Sequence, residues 1–361
     1  MNWKSEEGAL CRYIRCKWCW GLFFLSVALL LSPVLKLVVK RCWTIYHIAA
    51  LDGTIDCIEP HFSLEVLPSD WENSIRRSRE NNEIKSFDEV ECISLTITQN
   101  SDLVWLDDFP NLEYLTLSGA GFSDEGMARL SRFRRLKRLS LWETSVSDAG
   151  LIYLQDIPQL KSIDLNYSRV SGLGLEELKG LSNLTWLSLE GSSVIDAGLA
   201  GLKDLSQLRV LLLDHTQVSD AGLVHLKDLS QLQILSLSHT HVTGVGFSQL
   251  QNLSKLQWLR LNDSPVSDTG MMHLESFSGL TGLDLSGTQV SNAGLVHLCE
   301  LKNLEHLELE RTQVTDTGLV PLHGHPRLSF IDLDDTKVTT AAINALEATL
   351  PARAALMNEN K

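Results

Sequence analysis

Glycine recurs every 24 residues over most of this 361-residue chain, at Gly126, Gly150, Gly174, Gly198, Gly222, Gly246, Gly270, Gly294 and Gly318. Ala342 completes the series. Leucine keeps the same period, in ten units without insertion, from Leu112 through Leu208 and Leu232 to Leu328. A fixed period of this length is the signature of a solenoid. No single unit could bury its own apolar face, so neighbouring coils must stack and share one core. Length alone would suggest two or three domains. The period replaces that with one elongated repeat domain.

One unit runs from Leu208 to Leu229. Leu211 and Leu213 alternate with solvent-facing positions, which predicts a short half-buried strand. Leu223, Leu226 and Leu229 recur at three, which predicts a short helix or 3₁₀ turn. Asp220 stands where an N-cap belongs. Gly222 is expected to let the helix approach the neighbouring coil. Stacking the ten units predicts a parallel sheet with strands about 4.8 Å apart, roughly 45 Å long in all. Thr or Ser follows each strand, as at Thr144, Ser168, Thr216, Thr240 and Ser264. A hydroxyl both donates and accepts, so this column is expected to bond from coil to coil.

The pattern L-x-x-L-x-L-x-x-[TS]-x-V-[TS]-D-x-G-L-x-x-L resembles a leucine-rich repeat of the 24-residue bacterial type. Repeats written SDAGL (219–223) or TDTGL (315–319) behind an apolar N-terminal stretch resemble membrane-anchored leucine-rich-repeat proteins of planctomycete-type bacteria. The resemblance covers about residues 90–350. It implies an α/β fold: a right-handed solenoid with parallel strands on the concave face and short helices on the convex face. It implies protein binding on the concave face. Departures occur at Gly172, Gly244, Asn292 and Thr340, which stand where the capping Asp belongs. Helix starts at Gly172 and Gly244 lack an acceptor of their own and are expected to be the weaker ones.

Charge divides the chain. Residues 1–50 hold seven basic and two acidic residues, a net +5, so the overall −14 leaves −19 on the rest. So acidic a region lacks the surplus Lys and Arg that binding nucleic acid needs. Trp18–Val39 reads WCWGLFFLSVALLLSPVLKLVV. Twenty-two residues at about 1.5 Å each span about 33 Å, close to a bilayer core. Trp18, Trp20 and Trp43 flank the span as interfacial aromatics do. The segment is expected to be a single-pass transmembrane helix or signal anchor. A cleaved signal peptide built on Gly21–Leu31 is the competing reading, but Ser32-Pro33-Val34 is a poor small-x-small site. Four basic residues precede the span and two follow it, which favours a cytoplasmic N-terminus and an extracytoplasmic repeat domain. The expected organisation is a basic segment (1–17), the span (18–39), a linker and N-terminal capping region (40–89), the solenoid (90–350) and a tail (351–361). Within the linker, 44–66 reads as a linker or short strand pair, and Pro68–Trp71 as a helix start.

Seven cysteines are present. Cys11, Cys16 and Cys19 share part of an iron–sulfur spacing. They sit beside the span rather than in a folded loop, so reduced or acylated thiols are the better reading. Cys57, Cys92 and Cys299 are too scattered for a disulfide framework.

Candidate partner-binding residues follow from the strand period. The column starting at Tyr114 places Trp186, Trp258 and Phe330 on the concave face, with Arg260 two residues along from Trp258. Trp142 and Tyr167 add aromatics in the N-terminal half. Exposed aromatics are preferred interface anchors. Asp284, Glu308, Glu310, Asp332 and Asp334 form an acidic patch in the C-terminal half, suited to a basic partner, to Ca²⁺ or simply to water. His215, His239 and Asp263 share a column in successive coils and form a weak zinc candidate, since a flat ladder is not tetrahedral. His225, His273 and His297 share another column and are expected to face solvent. Four Asn-x-Ser/Thr matches, at Asn166, Asn183, Asn252 and Asn262, carry little weight in so polar a repeat. No nucleophile elbow, phosphate loop, HExxH or dinucleotide fingerprint appears. The expectation is a non-catalytic protein-binding module with no cofactor, displayed from a membrane. A metal- or glycan-binding surface protein, or an intracellular ubiquitin-ligase-type adaptor, is the alternative.

Overall fold

The computed structural model describes residues 55–57, 62–64, 92–351 and 355–357. The basic segment 1–17, the apolar span 18–39, the first four cysteines and the helix start at Pro68 lie outside the described residues. Among the described residues no helix is long and apolar enough to cross a membrane.

Alternating Leu positions build short strands, and these stack into one open sheet of twelve strands ordered as the chain is. The strands are parallel, from Cys92–Thr96 at one edge to Ala355–Met357 at the other. Register advances by one repeat at each step, so Trp258 pairs with Gly282 and Leu259 with Leu283. The first step is shorter, with Cys92 opposite Tyr114, and the last longer, with Phe330 opposite Ala355. Residues beyond Pro351, expected as a tail, thus supply the last strand. A separate antiparallel pair joins Ile55–Cys57 to Phe62–Leu64.

Each coil returns through a short helix, usually of 3₁₀ type, such as Gly222–Leu226 or Gly294–Glu300. Three returns contain α-helix instead: Asp124–Leu130, Asp268–Met271 and Thr340–Glu347. Leu211, Leu213, Leu223, Leu226 and Leu229 are all fully buried, and the equivalent apolar side chains of the other coils join one continuous core. Truncating one such Leu to Ala would cost about 2–5 kcal/mol, because neighbours on both sides hold the cavity open.

Two hydrogen-bond expectations are corrected. The Thr/Ser column closes its own coil rather than bridging coils. Thr216 Oγ1 donates to the Leu213 carbonyl at 2.6 Å, and Thr144, Thr288 and Thr312 repeat the contact. The geometric reason is that the carbonyl three residues back is presented by the turn itself. Ser264 is an exception: its Oγ donates to the Leu237 carbonyl of the preceding coil at 2.7 Å and lies 3.3 Å from Thr240 Oγ1.

The Asp column does the bridging instead. Asp220 accepts from Thr243 N, Thr243 Oγ1, Gly244 N and Gly246 N, all in the following coil. Asp148 does the same for Ser171, Gly172 and Gly174. The starts at Gly172 and Gly244 are therefore capped from the preceding coil, and their expected weakness is not of that kind. Gly222 behaves as expected, since a Cβ there would meet Asp196 Oδ1 at 2.5 Å.

Candidate functional site

Strand positions two apart face the same way, so the sheet shows solvent two side-chain rows. The row starting at Tyr114 holds the aromatics. Gly282 is buried in that row, and a Cβ on it would meet the Trp258 ring at 2.5 Å. Trp258 therefore lies across the glycine and reaches the next strand but one. Its ring centre is 5.7 Å from that of His306, and His306 stacks on Phe330 at 5.6 Å. Three rings thus run over the strands from Trp258–Arg260 to Phe330–Asp332. The Arg260 guanidinium lies 5.9 Å from the Trp258 ring centre, within cation–π range.

The second row lies beside the first. Asp284, Glu308 and Asp332 stand opposite one another on adjacent strands, with Arg260 opposite Asp284. Burial pushes the Asp284 carboxyl up, while hydrogen bonds from Ser286 and the charge of Arg260 pull it back. Burial also raises the Glu308 carboxyl, helped by the charges of Asp284 and Asp332. A half-buried row of like charges is costly when ionised, and a cation would relieve it.

The sequence-predicted residues therefore fall into separate groups. Tyr114 lies far along the sheet, under the Arg138 guanidinium at 5.4 Å. Trp186 sits between Ser162 and Val210 in register. Trp142 and Tyr167 are exposed but occupy the turn after the strand, not the strand face. Glu310 and Asp334 occupy the same turn in later coils, apart from the three strand carboxylates. Arg311 Nε bonds Glu310 at 3.0 Å.

That turn has a fixed backbone. Glu143, Tyr167, His215, His239, Asp263, Arg311 and Asp335 all have positive φ, as do Gly119, Gly191 and Gly287 in the same column. Left-handed backbone costs a non-glycine residue on the order of 1 kcal/mol or more. From Glu143 to Arg311 each turn is held by a coil-to-coil bond, such as His215 N to the Ser238 carbonyl at 2.9 Å. The side chains project as a ridge along the sheet. His215 and His239 stack at 4.1 Å and 12°. His239 Nε2 meets Asp263 at 3.4 Å. Arg311 reaches past Gly287 to both Asp263 oxygens, at 3.2 and 3.3 Å. The weak zinc candidate is corrected accordingly. Its three side chains follow one another along the ladder, and Arg311 engages the carboxylate. Among the described residues no group of three His, Cys, Asp or Glu could hold a metal ion.

Sequence reasoning missed His306 as the ring that links Trp258 to Phe330, and Arg311 as the partner of Asp263. In both cases the signal was a glycine inside a side-chain column, Gly282 or Gly287, which leaves a slot for a neighbour.

Comparison with known proteins agrees with the repeat fold. The family profile described as Leucine rich repeat matches residues 134–194, and a second Leucine Rich repeat profile matches residues 300–322. The chain carries leucine-rich repeats. No curated protein matches it. Among solved structures it is similar to an internalin (inlF) from Listeria monocytogenes, at 17% identity and a TM-score of 0.53. That match covers 82% of this chain and 96% of the other. An internalin C2 from the same organism aligns at 23% identity and a TM-score of 0.44, over 64% of this chain and 83% of the other. The inlF match shows a shared fold.

Proposed function

We propose that this chain is a non-catalytic protein-binding module, displayed from a membrane by residues 18–39, whose partner docks on the concave strand face. The leucine-rich-repeat fold fits an interaction module. One observation carries the choice of face: the Trp258–His306–Phe330 run lies flush beside the Asp284–Glu308–Asp332 row. Stacked rings offer rigid apolar area at low entropic cost, and the carboxylates beside them fix orientation and register. Four basic residues before the apolar span, against two after it, support a cytoplasmic N-terminus and an extracytoplasmic repeat domain. The resemblance to membrane-anchored bacterial leucine-rich-repeat proteins supports the same arrangement.

The test is parallel affinity capture with the full chain and with Trp186→Ala/Trp258→Ala. A genuine partner is lost from the variant while the variant's melting transition stays in place. Equal recovery of every specific partner by both chains would sink the aromatic face as the docking site. Protease treatment of intact cells tests the topology. Digestion of the repeat domain is expected, and protection would overturn its extracytoplasmic placement.

A further inference from the structure

The helix side of the solenoid carries an apolar stripe that has no part in the strand face. Seven of the ten large apolar side chains left exposed in the described structure fall in two columns that begin at Ala149 and Ile152 and advance by one repeat. Positions three apart in a 3₁₀ helix eclipse, so the two columns share one face. From residue 149 to residue 320 they comprise sixteen positions, and Glu176 is the one charged residue among them. Charged residues make up 21% of the chain, and its region beyond residue 50 carries −19. A stripe of this length with a single charge is not an ordinary solvated face of such a chain.

We propose that the stripe is covered by a second copy of this chain, packed antiparallel about a two-fold axis. The axis crosses the stripe between the coils of Val224 and Val245. Three observations favour this occupant. The first is shape. The two-fold sets Leu173 opposite Ala293 of the second copy, Met272 opposite Ala197 and Ala200, and Val245 opposite Ala221. Four large side chains thus meet small ones, Val224 opposite Ser248 being the fourth, while Ile152 meets Val320 and Val296 lies opposite Glu176. The second is charge. Lys203 and Glu275 are exposed in the same flanking column, three coils apart. The two-fold preserves the flank and reverses the coil order. It therefore brings Lys203 beside Glu275 of the second copy, and Lys179 beside Glu300. Glu275 also bonds His297 Nδ1 at 2.8 Å, which holds it in place. The third is area. Eight coils at about 4.8 Å give a stripe about 34 Å long, and with its flanks roughly 700 Å², near the ~800 Å² per partner of a standard interface. A two-fold contact of one patch with itself is also the commonest form of self-association.

Sedimentation equilibrium on the full chain in a density-matched non-ionic detergent tests this. The wild type is expected to pass from one copy to two as its concentration rises. Met272→Glu and Lys203→Glu are each expected to weaken dimerisation by about tenfold or more. Lys203→Glu/Glu275→Lys is expected to restore it, because the swapped charges again face each other. Trp186→Ala/Trp258→Ala, on the other face, is expected to dimerise as the wild type does. Melting transitions near that of the wild type show that each variant is folded. A single-copy mass at every concentration overturns the proposal, whatever then covers the stripe. So does a dimer indifferent to Met272→Glu, or a charge swap that fails to restore pairing.

Discussion

The Asp220 carboxylate binds Thr243 of the next coil twice, through its backbone N–H at 3.0 Å and its hydroxyl at 2.6 Å. Two further backbone N–H groups, of Gly244 and Gly246, complete the set. Asp196 makes only the first two kinds of contact, to Ser219 N and Oγ. Hydrogen bonds to a charged group contribute about 1.5–3 kcal/mol each where desolvated, less when partly exposed. Asp220→Ala is therefore expected to cost about 2–4 kcal/mol, and Asp196→Ala about half as much. Urea unfolding of the two variants measures the difference. Equal losses would show that the extra bonds to Gly244 and Gly246 contribute nothing.

Where the bridging Asp is replaced, glycine packing takes over. Gly172 has φ +95°, and a Cβ there would meet the Gly198 Cα at 2.9 Å. No side chain at 172 satisfies both constraints. Gly172→Ala is expected to cost about 1–3 kcal/mol. Gly180→Ala has nothing within 4 Å of the new Cβ and serves as the control. Its melting point should match the wild type within error. A Gly172→Ala variant that does the same would refute the close approach.

These two seams show what the sequence reveals and what it withholds. The period, the Leu columns and the parallel register are visible because each repeat must present the same face to the same neighbour. The direction of the Asp contact is not visible from one unit, since Asp220 is as well placed to cap its own helix. It becomes visible only when two columns are read together. Ile195 is the one residue without a hydroxyl in the column of Ser147, Ser171 and Ser219, and it follows directly after the coil of Gly172. Ser267, which follows Gly244, keeps its hydroxyl and pairs it with Thr269 Oγ1 at 2.9 Å instead. The aromatic face was half legible in the same way. Trp258 stood out by size, but its reach to His306 depends on Gly282, which reads as a gap until the strands are placed side by side.

The raised Glu308 carboxyl gives a pH signature. Its folded value lies above its unfolded one, so ionisation costs the native state stability at neutral pH. Glu308→Gln removes that cost and is expected to raise the melting temperature at pH 7. The gain over the wild type should shrink as pH falls through the raised folded value towards about 4.3, where the unfolded chain also protonates. A variant no more stable than the wild type at pH 7 would show that the carboxylate row carries no strain.

His325 occupies a core column otherwise filled by Leu, Phe or Ile, as at Leu301, Phe277 and Ile157. It is 5% exposed, its Nε2 lies 3.1 Å from the Leu301 carbonyl, and its Nδ1 has no partner. Burial holds its imidazole below the usual value, outweighing the Leu301 bond that favours protonation. The sign follows directly. Above about pH 6.5 both folded and unfolded chains keep the ring neutral, and stability does not depend on it. Below that value the unfolded chain takes up a proton that the native core resists, so stability falls as pH drops. The loss concentrates in the C-terminal coils, which one edge of the sheet leaves without a further full neighbour. His325→Leu restores the residue type of the column and removes both the orphaned nitrogen and the titration. It is expected to raise stability at pH 7 by about 1–3 kcal/mol, through the buried polar atom it eliminates. The advantage should widen between pH 7 and pH 5. Amide hydrogen exchange of Leu319–Leu333 at the two pH values measures this locally. Exchange in the wild type that is no faster at pH 5, after correction for intrinsic rates, would rule out a buried neutral histidine as the source of acid sensitivity.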